Sequence, residues 1–223
     1  MPSWCRLPAY ATICRRCFPG LAAPGERRRT HQQVQATVDP YDLAARYGTD
    51  AVRWWLLREV PQGADVDYTA RRLAARANEE LAEGFGNLLN RVVSLIHRYL
   101  GGHVPAEAAS APGAAALEEA VASTPGLIGA ALDDFDFRRA TEAVWQVARE
   151  ANRYASHARP WDLAKAGDHA ELAAVLSALL RACQATGTIL APFLPDASAR
   201  ITRQCTPDAT GLLPEPAPLL HRI

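Results

Sequence analysis

Three stretches of this chain repeat apolar residues at intervals that alternate between four and three. The first is Leu81, Phe85, Leu88, Val92, Leu95 and Tyr99. The second is Phe137, Ala140, Val144, Val147, Ala151, Tyr154 and Ala158, and the third is Leu172, Leu176, Leu179, Cys183, Thr186 and Leu190. That spacing lays one apolar stripe along an α-helix, where a strand would need strict alternation. A striped helix must bury its stripe against another element, so three of them dictate a helical bundle. The expected fold class is all-α, and no strand pattern or internal repeat competes with it.

The punctuation between the stripes sets the expected boundaries. Asp39 is placed to cap a helix with Pro40 at its first position, and Gly48 closes it after Tyr47. Thr49 or Asp50 is expected to cap the next helix, which carries Trp54, Trp55, Leu56 and Leu57 toward Pro61. The first stripe belongs to one long helix from about Thr69 to Leu100, stopped by Gly101 and Gly102. Residues 105–113 read as an Ala/Pro/Gly linker. A helix follows from about Ala114 to Ser123, with Pro125 separating it from a short one near 127–132. The second stripe spans about 136–158 and ends at Pro160, and the third spans about 169–190. Pro192 and Pro195 then lead into a last short helix near 196–204. Three parts result: an irregular segment over 1–38, a helical domain over 39–204 and a Pro-rich tail over 205–223.

Composition excludes several classes of function. The formal net charge is zero, so a polyanionic partner must meet a local patch. Five cysteines without regular spacing make no disulfide framework and point to a reducing cytoplasm. No stretch reads as a bilayer span, and the N-terminus lacks a continuous apolar core of the secretory type. Cys14 and Cys17 form a lone CxxC pair, short of the four ligands of a structural zinc, so no metal is expected. No glycine-rich loop follows a strand, and no cofactor is expected. His97 and His103, at the end of the first long helix, suit capping or dipole roles.

Two features could hold unpaired RNA. Asn87 and Arg91 are four residues apart and share a helix face that continues through Ser94 and Arg98, beside the apolar stripe. An amide offers both donor and acceptor, and a guanidinium forks onto base edges or phosphates. In Arg159-Pro160-Trp161 the proline ends one helix and displays an indole at the start of another, a platform for stacking a base. The bland alternative is a solvated polar pair and a core tryptophan that locks a turn.

These residues lie in a longer pattern. From Asp39 to about Arg203, the run DPYDLAARYGTDAVRWWLLREVP, the segment GNLLNR around Asn87, the run Arg159 to Lys165 (RPWDLAK) and Leu190 to Pro195 (LAPFLP) occur in order. Together they resemble the class I methionyl-tRNA synthetases where the catalytic fold passes into the anticodon-binding domain. The resemblance implies a helical bundle that meets a CAU anticodon of a methionine-type tRNA through Asn87, Arg91 and Trp161. The family's catalytic signatures are absent. The positions of its KMSKS loop hold Arg29, Thr30, His31, Gln32 and Gln33, no HIGH-like tetrapeptide occurs, and Lys165 is the sole lysine. The expectation is therefore a chain that does not aminoacylate alone. It would be a free-standing tRNA-binding module serving a synthetase or another tRNA-using enzyme, with no membrane partner. Two alternatives stand beside it: a fragment or subunit of a ligase whose catalytic domain is encoded elsewhere, and a helical protein-interaction module that has abandoned RNA. Trp54 and Trp55 are expected in the core, and would serve the last alternative only if exposed.

Overall fold

A computed structural model describes residues 39–61, 66–104, 111–218 and 222–223. The expected irregular segment 1–38, with Cys14, Cys17 and the loop around Arg29 to Gln33, lies outside the described residues, as does most of the linker. The chain is an all-α bundle. Helices α1 (Pro40–Tyr47) and α2 (Thr49–Glu59) lead into α3 (Ala70–Arg76), a π-helical stretch (Ala77–Gly86) and α4 (Asn87–Leu100). Then come α5 (Ala115–Asp133), α6 (Phe137–Ala158), α7 (Pro160–Ala166), α8 (His169–Leu190) and α9 (Pro195–Cys205). Helix α8 is the hub, packed against α4, α5, α6, α7 and α9.

Local chemistry explains many of the boundaries. The side chains of Asp39, Thr69, Asp136 and Asp168 accept hydrogen bonds from first-turn amides of α1, α3, α6 and α8. Each satisfies one of the donors that a helix start leaves orphaned. Gly48 at φ 85° closes α1, and Gly101 at φ 62° closes α4. Such left-handed angles favour glycine. Asp50 differs from expectation. It does not cap its own helix, for Gly48 takes that position. Its buried carboxylate instead accepts the Ala197 N–H at 2.6 Å, closing the first turn of α9 from a distance of 147 residues.

The long helix expected over 69–100 is continuous but not uniform. Its middle ten residues wind as a π-helix, with hydrogen bonds that reach one residue further than α-helical ones. Gly84 and Gly86 weaken the α preference there. The Trp145 ring of α6 fills the space that a side chain on Gly84 would need, 2.2 Å from where its Cβ would stand. The wider turns also shift the stripe. Leu81, Phe85, Leu88 and Val92 are buried as the spacing indicates. Beyond them Val93 and Ile96 turn fully inward, while Leu95 and Tyr99 are only half-buried. A strict heptad drifts around a straight α-helix in just this sense.

Helix α5 runs unbroken through Pro125, where two helices were expected. The hydroxyls of Ser123 and Thr124 turn back to the Glu119 and Ala120 carbonyls at 2.8 and 2.6 Å. Bonds of this kind bend a helix and occupy its carbonyls, which eases the passage of a residue without an N–H. Helix α8 also departs from the sequence reading. It is long and apolar enough to cross a bilayer by composition alone, and the bundle buries most of it. Its apolar character serves the hub of the core. The described residues after Pro207 are irregular, yet residues 211–214 are held in place. Leu213 N–H donates to Gly102 O, Val104 N–H to Gly211 O, and Leu213 is buried. His97 takes part through Nε2, 3.0 Å from Pro214 O.

Trp54 and Trp55 are core residues, 0% and 4% exposed. They cannot form the partner patch that a protein-interaction module would use. Burial of large side chains such as Trp54, Leu89 and Ile96 contributes about 1.5–3 kcal/mol each.

Candidate anticodon-binding site

The three candidate residues lie on two neighbouring helices. Asn87 is the first residue of α4, directly after the π-helical stretch, and its side chain is exposed. Arg91 stands one turn further along the same face and is half-buried. Trp161 is the second residue of α7, a helix packed on α8 and lying against α4. The structure therefore brings the helices of all three together. No hydrogen bond joins the three side chains to one another.

The turn that carries Trp161 is tightly built. Arg159 adopts a left-handed backbone at φ 44°, unusual for a residue with a side chain. Its carbonyl accepts the Asp162 N–H at 2.8 Å, and its guanidinium pairs with the Asp162 carboxylate at 2.6 Å. Pro160 is buried and anchors the start of α7. Trp161 is not among the side chains that build or cover the apolar core, whereas its neighbours Leu163 and Ala164 pack against it. The indole is partly buried, neither a fully exposed platform nor one of the buried tryptophans of the core.

Half-buried Arg58 and Arg76 pair with carboxylates and half-buried Arg53 donates to the Phe193 and Pro192 carbonyls, whereas Arg91 has no carboxylate partner among the described residues. One terminal nitrogen donates to Asn152 Oδ1 at 3.1 Å, and its Nε is buried with no acceptor. Burial pulls the guanidinium below its ordinary arginine value, against which nearby Cys183 acts weakly. The group stays charged at neutral pH. The buried Nε is closed to a ligand, so a guanidinium without a carboxylate would meet an anionic or carbonyl-bearing ligand only through its terminal nitrogens.

Asn152 escaped the sequence reading. It sits beside the α6 stripe, and nothing in the sequence connects it to a residue 61 positions away. Ser94 and Arg98 do lie further along α4, where Arg98 stacks over the Tyr99 ring at 5.5 Å. A hollow of about 490 Å³ elsewhere, lined by Arg58, Glu59, Arg76, Arg138, Arg139 and Glu142, includes none of the three candidates.

A family model described as the anticodon binding domain of methionyl tRNA ligase matches residues 104–220. The chain belongs to that family. A second model, for class I tRNA synthetases of the methionine type, matches residues 28–93. Among similar proteins, methionine–tRNA ligase of Clostridium perfringens is 34% identical over 174 residues, covering 78% of this chain and 27% of the relative. Methionine–tRNA ligase 1 of Bacillus cereus is 38% identical over 169 residues, covering 75% of this chain and 26% of the relative. In solved structures, apo Mycobacterium tuberculosis methionyl-tRNA synthetase superposes with a TM-score of 0.78 at 28% identity, covering 83% of this chain and 41% of that one. The methionyl-adenylate-bound form of the same synthetase gives 0.76 at 29% identity, covering 86% and 41%. The chain thus spans about a quarter of the length of the curated relatives it matches. Of the three candidates, Trp161 lies within the residues that match the anticodon-binding model, and Asn87 and Arg91 lie within those that match the class I synthetase model.

Proposed function

We propose that this anticodon-binding domain reads the CAU anticodon of methionine-type tRNA through Asn87, Arg91 and Trp161, and does not aminoacylate by itself. The observation that carries the reading is the pairing of two helices. Helix α7 carries a partly buried Trp161 at its head, and α4 beside it presents an exposed Asn87 and a half-buried Arg91 with no carboxylate partner among the described residues. Trp161 stacks on an unpaired base, Asn87 reads a base edge, and Arg91 reaches a base carbonyl or a phosphate. Lys165 is the sole lysine of this sequence, so neither lysine of a KMSKS-type loop is present to grip a triphosphate. The domain works in the cytoplasm, where Cys183 and Cys205 remain free thiols. It delivers or retains tRNA for a synthetase or another tRNA-using enzyme.

A second reading is favoured by the class I synthetase match over residues 28–93. In it, the same site serves a ligase whose catalytic part is supplied beside this chain. Both readings use one site, and one assay tests that site. Transcripts of methionine tRNA should bind more tightly than the same transcripts with a changed anticodon, and binding should weaken with salt. Equal binding of both transcripts contradicts the proposal. Aminoacylation that appears only when a separate catalytic chain is added selects the second reading.

A further inference from the structure

Reading an anticodon with Arg91, the function on which this inference rests, needs the guanidinium to hold one direction. Among the described residues its one hydrogen-bond partner is Asn152 Oδ1, at 3.1 Å. Asn152 is itself oriented. Its Nδ2 donates to Ala148 O at 2.9 Å and to Gly84 O at 3.2 Å. Those two carbonyls accept and cannot donate, so the amide nitrogen must face them and the oxygen must face Arg91. The Ala148 carbonyl lies one turn back in the same helix. The Gly84 carbonyl belongs to the π-helical stretch, in the turn pressed against Trp145. The wide turn, the tryptophan and the amide therefore form a bracket behind Arg91.

The chemistry of the bracket is as telling as its geometry. A carboxylate in the place of Asn152 would hold Arg91 more strongly and cancel its charge. A neutral amide fixes the direction and leaves the charge for a ligand. We infer that Asn152, aimed by the Gly84 carbonyl, is a positioning residue that points the Arg91 guanidinium at the RNA.

The test is a double-mutant cycle on the full chain, read by affinity for CAU and changed-anticodon transcripts. Asn152→Leu should lower CAU affinity by about tenfold, the scale of one hydrogen bond to a charged group, and narrow the preference over the changed anticodon. In an Arg91→Ala background the same substitution should have no further effect. A purely structural role would instead give equal losses in both backgrounds. The Arg91 Nε–H resonance provides a readout that does not depend on RNA. It should be sharp in the wild type and broadened both in Asn152→Leu, which lacks the acceptor, and in Asn152→Asp, which loses the amide donor that the Gly84 and Ala148 carbonyls aim. Asn152→Asp should also bind CAU weakly, because its carboxylate cancels the charge of Arg91. If Arg91→Ala abolishes the CAU preference but Asn152→Leu leaves both affinity and the resonance unchanged, this inference fails and the proposed function survives. If the wild type shows no CAU preference, both fail.

Discussion

A cluster of half-buried arginines and one half-buried arginine that stands apart from it make an instructive contrast. Around the π-helical stretch, Glu80 is 2% exposed and receives Trp54 Nε1 at 2.6 Å, Arg58 at 2.7 and 3.0 Å and Arg76 at 2.9 Å. Arg58 also meets Glu142 at 2.7 Å, and Arg76 meets Glu59. Here every buried guanidinium is matched by carboxylate. Arg91, on the adjoining α4, has one neutral amide and an orphan Nε. Matched charges inside a bundle hold helices in place and offer nothing to a ligand. An unmatched one weakens the fold slightly and remains available. The hollow beside Arg58 and Arg76 illustrates the difference, since those two guanidiniums are already spoken for.

Four substitutions probe this contrast. Glu80→Ala should cause the greatest loss, about 3–5 kcal/mol of stability in urea unfolding, because it orphans the buried Trp54 N–H and takes from Arg58 and Arg76 one of their two carboxylates. Gly84→Ala comes next, at about 1–3 kcal/mol or more, because the new methyl meets the Trp145 ring. Much of that loss should be recovered in a Gly84→Ala, Trp145→Leu double variant. Trp161→Ala should leave the unfolding midpoint nearly unchanged and weaken tRNA binding by about 1–3 kcal/mol, measured by titration. Glu80→Ala, at a temperature where it is folded, should do the reverse and keep the anticodon preference. The smallest effect is a pH dependence at Asp50. Burial raises its carboxyl above the ordinary range, with the Ala197 N–H opposing and Asp196 adding to the rise. The folded chain therefore holds this proton more tightly than the unfolded one. Its contribution is present below the unfolded carboxylate value and is lost as pH rises through the folded value. Asp50→Asn should flatten that decline in a series of unfolding curves from about pH 4 upward.

Much of the scaffold was legible in the sequence because periodicity and punctuation are local. Asp39, Gly48 and Gly101 mark the same helix ends in both views. The passage of α5 through Pro125 is a local departure, whereas three others involve partners distant in the sequence. Asp50 caps α9, Trp145 presses on the π turn, and Leu213 is drawn into the core by Gly102. The candidate site was legible as residue types on helix faces, with Asn87 and Arg91 one turn apart. What surrounds them was not. The lack of a carboxylate near Arg91, and the amide that replaces it, depend on how α6 crosses α4, and no spacing rule encodes that crossing.

The most direct measurement is the affinity of the purified chain for methionine tRNA transcripts that differ only in the anticodon, at one salt concentration. The account predicts clear preference for CAU, lost in Asn87→Ala, Arg91→Ala and Trp161→Ala proteins that keep the wild-type helical content and unfolding midpoint. Indifference of the wild-type chain to the anticodon, or a preference that all three variants retain, would contradict it.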